Sequence, residues 1–399
     1  MASHIGWVDF SSADREKVSQ VLAMLHEPGT LDELGIGQIR DSYADLLFPG
    51  LSTIQTRAKY FITVPRIIRD YYLLKPHEQR KINLLAYIEQ QENKLATRLV
   101  EKHKDSETGI IGSSLVGTGK GVARRPSSVY WNGLRQFGLV NTSLSLTEFC
   151  RRSMDQQSRQ NEDDDQDSTN KSSVHLDSVI PNWMDDVSIH LSVSEAKFLH
   201  DKLTHREPLK HSVFSQLLIL KYANEAITTS NFDNFSVMSR WLESKTGVDP
   251  MCRKRLRLAR EFSEAMEGAH IRYNILIAQR ANNADLEKKY ESQFVTWSAR
   301  ASAENLFYLD CADAWLKGAL GNVKAASQTF VRQWVDLIRD HAQPSELDLL
   351  VEKQAVANKG KRSLLKRNLG NSPAWQGMQQ QSYRWPTALV ILKDIMDAL

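Results

Sequence analysis

Apolar residues recur along this chain every three or four positions, which is the spacing of an amphipathic helix. The first such stripe ends at Pro28-Gly29 and is formed by Val18, Val21, Leu22 and Leu25. Two capping-box patterns follow, Thr30-x-x-Glu33 and Ser52-x-x-Gln55, and each predicts the start of a helix. The N-terminal region is therefore predicted to be helical.

The next part of the chain continues this pattern up to a short apolar run. Pro65 predicts a kink or break in the third helix, and an apolar stripe predicts a fourth helix over 76–103. Pro126 suits the first turn of a further helix, and Gly138-Leu-Val resembles a short strand. This order is compatible with a winged-helix-like unit and equally with an ordinary helical domain.

The second half of the chain has the same helical spacing. Ser192-x-x-Glu195 is a capping box, and periodic apolar runs follow at 212–227, 250–282, 284–318, 322–341 and 345–356. Small residues at Ala265, Gly268 and Ala269 permit a close approach between helices. We expect a helical bundle here.

A polar, acidic segment over 153–173 separates the two halves. It reads SMDQQSRQNEDDDQDSTNKSS and offers too little apolar surface to offset the entropy of ordering it. The sequence thus predicts a mainly α protein with two helical domains, at 1–152 and 176–399, joined by a disordered linker at 153–175.

Composition and charge exclude several classes of protein. The 399 residues carry a net charge of +3, which by itself is too small to indicate a nucleic-acid-binding protein. The three cysteines are far apart, so neither a disulfide framework nor a zinc ribbon is predicted. The apolar runs are too short to span a bilayer, and the first residues do not resemble a signal peptide. We expect a cytoplasmic protein without a cofactor.

A glycine-rich stretch, GSSLVGTGKGVARRP over 112–126, resembles a phosphate-binding loop. The required first glycine is replaced by Ser114, and the metal-binding hydroxyl is replaced by Gly121, so nucleotide hydrolysis is not predicted. The stretch is either a flexible surface connection or an anion site, since cations and a serine near a helix N-terminus favour phosphate. The candidate anion-binding residues are Lys120, Arg124, Arg125 and Ser127.

Two further basic clusters lie in the second half. The helix containing MCRKRLRLAR over 251–260 places three cations on one face, Arg253, Arg257 and Arg260. NKGKRSLLKRN over 358–368 contains Lys361, Arg362, Lys366 and Arg367, and Trp375 follows it. Basic loops with nearby aromatic residues suit phosphate contact and base stacking, although a basic helix face is often only solvated.

Long blocks of the sequence resemble one bacterial family. GWVDFSSADREKV, EPGTLDELGIGQIRDSYADLLFPGLSTIQTRAKYFITVP, RRPSSVYWNGLRQFG and YRWPTALVILKDI are similar to a family called domain of unknown function 6361. The resemblance implies gene neighbourhoods in bacterial defence islands and mobile elements, near helicases and phospholipase-D-like nucleases. It implies no catalytic residues.

No complete catalytic or metal-binding motif is present in the sequence. Asp41 and Asp45 lie four residues apart on one helical face, which suits half of a carboxylate metal site but more often indicates ion pairing with arginines such as Arg40 and Arg57. We therefore expect a non-catalytic accessory subunit that binds DNA, a helicase or a nuclease. The alternatives are a divergent metal-dependent nuclease and a scaffold that binds only protein.

Overall fold

The computed structural model describes residues 32–103, 106–118, 122, 124–160, 174–176, 180–207, 209–319, 321, 323–367 and 375–399. Within these ranges the chain forms sixteen α-helices and no strand, which confirms the predicted mainly α class. The stripe at 18–25 lies outside the described residues. None of the helices in the described ranges is long and apolar enough to cross a bilayer.

The helices are numbered α1 to α16 in chain order. The first eight are α1 Gly37–Leu47, α2 Tyr60–Leu73, α3 Pro76–Gln79, α4 Leu84–His103, α5 Pro126–Gln136, α6 Leu146–Gln160, α7 Val193–His205 and α8 Val213–Ile219. The others are α9 Ala223–Thr228, α10 Phe235–Ser244, α11 Pro250–Arg280, α12 Ala284–Ala303, α13 Cys311–Gly318, α14 Ala325–Arg339, α15 Pro344–Lys359 and α16 Trp385–Met396.

The short strand predicted at 138–140 is a single antiparallel bridge between Val140 and Val174. Gly138 has a φ of +68°, a left-handed conformation that favours glycine, and it turns the chain after α5. A lone bridge of this kind does not decide between the winged-helix-like unit and an ordinary helical domain. The winged-helix-like unit therefore stays a prediction.

The chain divides into two compact units. Unit 1 contains residues 1–43 and 257–381, and unit 2 contains residues 44–256 and 382–399. This division differs from the predicted domains at 1–152 and 176–399, which stay a prediction because residues 161–173 lie outside the described ranges. Helix α6 extends to Gln160 and so includes the first residues of the predicted linker.

Two tryptophans, one on α12 and one on α14, donate hydrogen bonds to backbone carbonyls of α11 in the core of unit 1. The indole N–H of Trp297 donates to the Glu264 carbonyl at 2.7 Å, and that of Trp334 donates to the Ala265 carbonyl at 3.0 Å. A Cβ at Gly268 would lie 2.3 Å from Cζ2 of Trp297, so only glycine permits this approach. The small residues predicted to allow close packing on α11 therefore admit an indole ring.

Helix α2 is the buried centre of unit 2. Its side chains are buried from Tyr60 to Ile68, and α4 and α5 pack against it. Pro65 lies inside α2, and the helix continues through it instead of breaking there. Helix α16 returns to the same unit and packs against α7 and α9, where the Trp385 indole donates to the Phe232 carbonyl.

Candidate nucleic-acid interface

A group of exposed cations lies directly after α15, in unit 1. Two 3₁₀ turns, Gly360–Arg362 and Leu364–Lys366, make up most of residues 359–367, which we call the basic turn segment. Its four exposed cations are Lys361, Arg362, Lys366 and Arg367. None of the four forms an ion pair with an acidic residue in the described part of the chain. This segment therefore carries uncompensated positive charge.

Apolar and polar contacts hold the backbone of the basic turn segment in place. The Leu365 side chain is 1% exposed, and the Arg280 guanidinium donates to the Leu365 carbonyl. Immediately before the segment, the Asn358 amide donates to the carbonyls of Asp32 at 2.7 Å and Glu33 at 3.1 Å. The cationic side chains thus project from an anchored backbone.

Lys359 differs from the other cations of the segment. Its Nζ lies 3.7 Å from Oε1 of Glu33, whose side chain is only 4% exposed. The other carboxylate oxygen of Glu33 accepts a hydrogen bond from the Tyr273 hydroxyl at 3.0 Å. Lys359 is therefore compensated within unit 1.

The three arginines predicted on one face of α11 have different environments. Arg253, in unit 2, donates to the carbonyls of Glu243 at 2.6 Å and Lys245 at 2.9 Å. In unit 1, Arg260 is 8% exposed and lies 3.4 Å from Glu264.

Arg257 is the exception among the three. It is exposed and lies 3.8 Å from Glu261, which is a loose ion pair. Because exposed pairs at this separation are weak, Arg257 presents its charge to solvent. Of these three arginines, it is thus the residue best placed to contact a phosphate.

The described cations of the glycine-rich stretch, Arg124 and Arg125, contribute little exposed charge. Lys120 lies outside the described residues, and Arg124 is half-buried. Arg125 donates to the Glu89 carbonyl at 3.2 Å, and its Nε lies 3.4 Å from the Glu89 carboxylate. Ser127 is 1% exposed. An anion site over Lys120, Arg124, Arg125 and Ser127 stays a prediction, with Arg125 partly neutralised by the chain itself.

A carboxylate from the chain occupies the N-terminus of α5. The backbone N–H of Ser127 donates to Oε1 of Glu92, which is 1% exposed, while Oε2 of Glu92 has no hydrogen-bond partner within the described ranges. Burial raises the pKa of Glu92 to about 7, although the Ser127 hydrogen bonds act in the opposite direction. The backbone N–H of Ser127, which could otherwise donate to a phosphate oxygen, already donates to Glu92.

Asp41 and Asp45 each pair with an arginine. Asp41, in unit 1, lies 2.8 Å from Nε of Arg40, and Asp45, in unit 2, lies 2.6 Å from Nη1 of Arg384. Within the described ranges, no group of three or more His, Cys, Asp or Glu side chains has the arrangement of a metal site. Both aspartates therefore serve as ion-pair partners.

A buried charge cluster lies in unit 2 around Glu195. The carboxylate accepts hydrogen bonds from Lys59 and Arg66, each at 2.7 Å, and all three side chains are at most 6% exposed. Burial alone would raise the pKa of Glu195, but Lys59 and Arg66 hold that pKa below its ordinary value. The cluster ties α2 to the start of α7.

A second charge cluster, partly buried, surrounds Arg57. Its Nε lies 3.0 Å from Asp394 on α16, and its Nη1 lies 3.0 Å from Glu107. Glu107 also lies 3.0 Å from Nε2 of His190. These groups use one another as partners, so the arrangement is that of a structural network.

The whole chain matches one known family. A sequence model described as a family of unknown function (DUF6361) matches residues 2–399. The chain belongs to the DUF6361 family. Comparisons with curated proteins and with solved structures give no match. The fold described above is therefore that of a DUF6361 protein.

Sequence reasoning about this DUF6361 protein missed the buried charge clusters. The pattern Ser192-x-x-Glu195 is a capping box in the structure, but it gave no sign that Glu195 also binds Lys59 and Arg66. A usable signal was the presence of three cations within the mainly apolar stretch 57–68, where burial demands counter-charges. The partners themselves are set by tertiary packing.

Proposed function

We propose that this DUF6361 protein is a non-catalytic accessory subunit of a bacterial anti-phage defence or mobile-element system, and that it binds DNA through the basic turn segment. The observation that carries the proposal is the set of four exposed cations of the basic turn segment, which have no acidic partner among the described residues. Arg257 is a secondary contact in the same unit.

The physical basis is phosphate attraction. Each lysine or arginine that neutralises a phosphate releases condensed counterions, which favours binding at low salt. The buried Leu365 side chain and the Arg280 hydrogen bond already order the backbone, so less conformational entropy is lost on binding. Contacts of this kind position DNA without reading its sequence.

The helicase or nuclease partner in this proposal rests on a separate argument. Gene neighbourhoods near helicases and phospholipase-D-like nucleases are implied by the family resemblance, and proximity of genes is an associational argument. Co-purification of the protein with the products of its neighbouring genes tests this part. It can succeed or fail independently of DNA binding.

The DNA-binding part is tested by fluorescence anisotropy with single- and double-stranded DNA at about 50 mM salt, where phosphate contacts are strong. The variant carries Lys361→Gln, Arg362→Gln, Lys366→Gln and Arg367→Gln. A matched control replaces with glutamine four other exposed lysines, Lys81, Lys94, Lys317 and Lys324, which have no acidic partner in the part of the chain that the structure describes. We expect the first variant to lose binding by at least about 100-fold, and the control to stay within a few-fold of the parent protein.

Two outcomes would contradict the proposal. If the parent protein binds neither DNA nor RNA at low salt, direct nucleic-acid binding fails and a scaffold that binds only protein takes its place. If the protein cleaves phage DNA with Mg²⁺ or Mn²⁺ and Asp41→Ala abolishes the cleavage, it is a metal-dependent nuclease instead. If the variant and the control lose DNA affinity equally, the basic turn segment is not the DNA-binding interface.

A further inference from the structure

Unit 1 contains a partly open cavity of about 430 Å³. Its walls come from α11, from α12 and from residues 375–380, and its lining includes Glu267, Arg300, Trp297, Trp375, Gln379 and Gln380. The volume lies within the range of roughly 300–1,000 Å³ that is typical of small-molecule sites. Aromatic and hydrogen-bonding side chains both line it, a combination that suits a flat polar ligand.

An ion pair lies in the wall of the cavity. Oε2 of Glu267 lies 2.5 Å from Nη2 of Arg300, and the two side chains are 24% and 44% exposed. Burial raises the pKa of Glu267, while Arg300 acts in the opposite direction. The remaining oxygen of Glu267 has no hydrogen-bond partner among the described residues, so it is free to accept from a ligand.

Other residues of unit 1 fix the positions of the two aromatic residues of the cavity, Trp297 and Trp375. Trp297 is 2% exposed, and its indole N–H donates to the Glu264 carbonyl. Trp375 is half-buried and packs edge-to-face with Tyr290, with ring centroids 5.5 Å apart. The cavity therefore has rigid aromatic walls before any ligand binds.

The segment that carries Trp375 is also fixed. The Asn274 side chain donates to the Gln376 carbonyl at 2.9 Å and accepts from the Gln376 backbone N–H at 2.8 Å. Further along the segment, the Gln381 backbone N–H donates to the Ser263 hydroxyl at 2.7 Å. These bonds attach the segment to α11 on both sides of Gln379 and Gln380. A ligand here would meet donors and acceptors that are already in position.

We propose that this cavity binds a guanine base. Guanine presents two adjacent donors, N1–H and N2–H, which match the carboxylate of Glu267, and two acceptors, O6 and N7, which match a guanidinium such as that of Arg300. Trp375 provides an aromatic surface against which the base stacks. Gln379 and Gln380 offer further donors and acceptors to the sugar or to the remaining edge of the base.

The other bases match the carboxylate less well. Adenine and cytosine place a ring-nitrogen acceptor beside their amino group, and thymine and uracil flank one N–H with two carbonyl oxygens. Each of these patterns brings an acceptor against the oxygens of Glu267, and two facing acceptors repel each other. Guanine is therefore the base that the cavity selects.

The base can belong to a free nucleotide or to a nucleic-acid strand. The second source rests on the proposed DNA-binding function, whereas recognition of the base itself does not. Guanosine carries no phosphate, so the variant lacking the cations Lys361, Arg362, Lys366 and Arg367 should bind guanosine as the parent protein does. Failure of DNA binding and failure of base binding are thus separate results.

The test is a titration of the full chain with guanosine, adenosine, cytidine and uridine, followed by tryptophan fluorescence and calorimetry. We expect guanosine to bind at least about 10-fold more tightly than the other nucleosides, as one bidentate contact provides. Trp375→Ala should weaken guanosine binding by roughly 5- to 100-fold through lost stacking. Glu267→Gln should weaken it by at least about 10-fold and reduce the preference for guanosine over adenosine.

The control is Glu291→Gln, which removes an exposed carboxylate on α12 outside the cavity wall and should leave guanosine binding unchanged. Thermal unfolding checks that Glu267→Gln remains folded, and Glu267→Asp should keep part of the preference for guanosine. Equal affinities for the four nucleosides, no binding at millimolar guanosine, or unchanged binding in a folded Glu267→Gln variant would each overturn the proposal.

A final comparison distinguishes the two sources of the base. If the base comes from a strand, an oligothymidylate that contains one guanine should bind more tightly than plain oligothymidylate, and Glu267→Gln should abolish that difference. If the base comes from a free nucleotide, guanosine monophosphate should bind at least as tightly as guanosine, and the two oligonucleotides should bind equally.

Discussion

The guanidinium of Arg57 lies 3.0 Å from the carboxylate of Asp394, across most of the length of the sequence, and both side chains are about nine-tenths buried. Asp394 also accepts the backbone N–H of Ala58 at 2.7 Å. Breaking a buried ion pair by removing one partner leaves an uncompensated charge inside the protein. The pair therefore fixes α16 to the segment that precedes α2.

We predict that Asp394→Ala lowers the free energy of unfolding of unit 2 by about 3 kcal/mol, because Arg57 would keep only Glu107 as a carboxylate partner. Urea unfolding measures this change, and hydrogen exchange of the Ala58 amide should become faster. Asp397→Ala removes an exposed partner of Lys393 directly after the same helix and should cost less than about 1 kcal/mol. Similar costs for the two variants would contradict the buried role of Asp394.

Glu92 predicts a pH-dependent stability. Its folded pKa of about 7 lies above the ordinary value of 4.5, so the folded state binds the proton more tightly than the unfolded state. The stabilisation is complete below about pH 4.5 and is lost as the pH rises through 7. Glu92→Gln should therefore match the parent protein near pH 5 and be more stable by roughly 3 kcal/mol at pH 8.

The control for this prediction is Glu101→Gln on the same helix, where the side chain is 60% exposed. Its difference from the parent protein should change little between pH 5 and pH 8. Urea unfolding at several pH values measures both variants. A parent protein and a Glu92→Gln variant that respond in parallel to pH would show that Glu92 does not titrate in this range.

At Gly268 we predict that alanine lowers the stability of the protein, which is the opposite of its usual effect within a helix. Alanine in place of glycine within a helix ordinarily stabilises a protein by up to about 1 kcal/mol. Here the added methyl would meet the Trp297 indole, so Gly268→Ala should destabilise unit 1 by about 1–3 kcal/mol. Thermal unfolding measures the change. In a double-mutant cycle, Trp297→Phe should reduce the cost of Gly268→Ala, and strict additivity would exclude a direct clash.

Salt dependence provides a quantitative test of the basic turn segment. Each cation that contacts a phosphate contributes about 0.7 to 0.9 to the slope of log affinity against log salt concentration. Replacing Lys361, Arg362, Lys366 and Arg367 with glutamine should thus lower the magnitude of this slope by about 3. Anisotropy titrations between 50 and 200 mM salt give the slope, on the scale where such contacts are measured. An unchanged slope would place the phosphate contacts elsewhere.

Local signals in the sequence predicted local structure well. Ser192 and Glu195 form the expected capping box, and Pro126 occupies the expected first turn of α5. The pattern Ser52-x-x-Gln55 failed, since α2 begins at Tyr60 instead. The reason is long-range, because the Gln55 side chain donates to the Gly50 and Val129 carbonyls and holds this stretch outside a helix.

The candidate interface also has features that the local sequence predicts and features that depend on packing. The exposed cations of the basic turn segment follow from local composition, so the sequence was sufficient to predict them. The burial of Arg260 and the carbonyl partners of Arg253 depend on how α11 packs. The Glu267–Arg300 pair joins two helices whose register the sequence does not specify. Pairings set by packing were thus beyond local patterns.

The discontinuous make-up of unit 2 has a consequence for synthesis on the ribosome. Helix α16 lies far from Arg57 and Phe232 along the chain, and its residues Asp394 and Trp385 complete contacts with these two residues, which are synthesised long before it. Domains generally fold as units, the N-terminal one first. Here the nascent chain must keep the Arg57 charge and the surfaces of α7 and α9 hydrated or chaperoned until α16 has emerged.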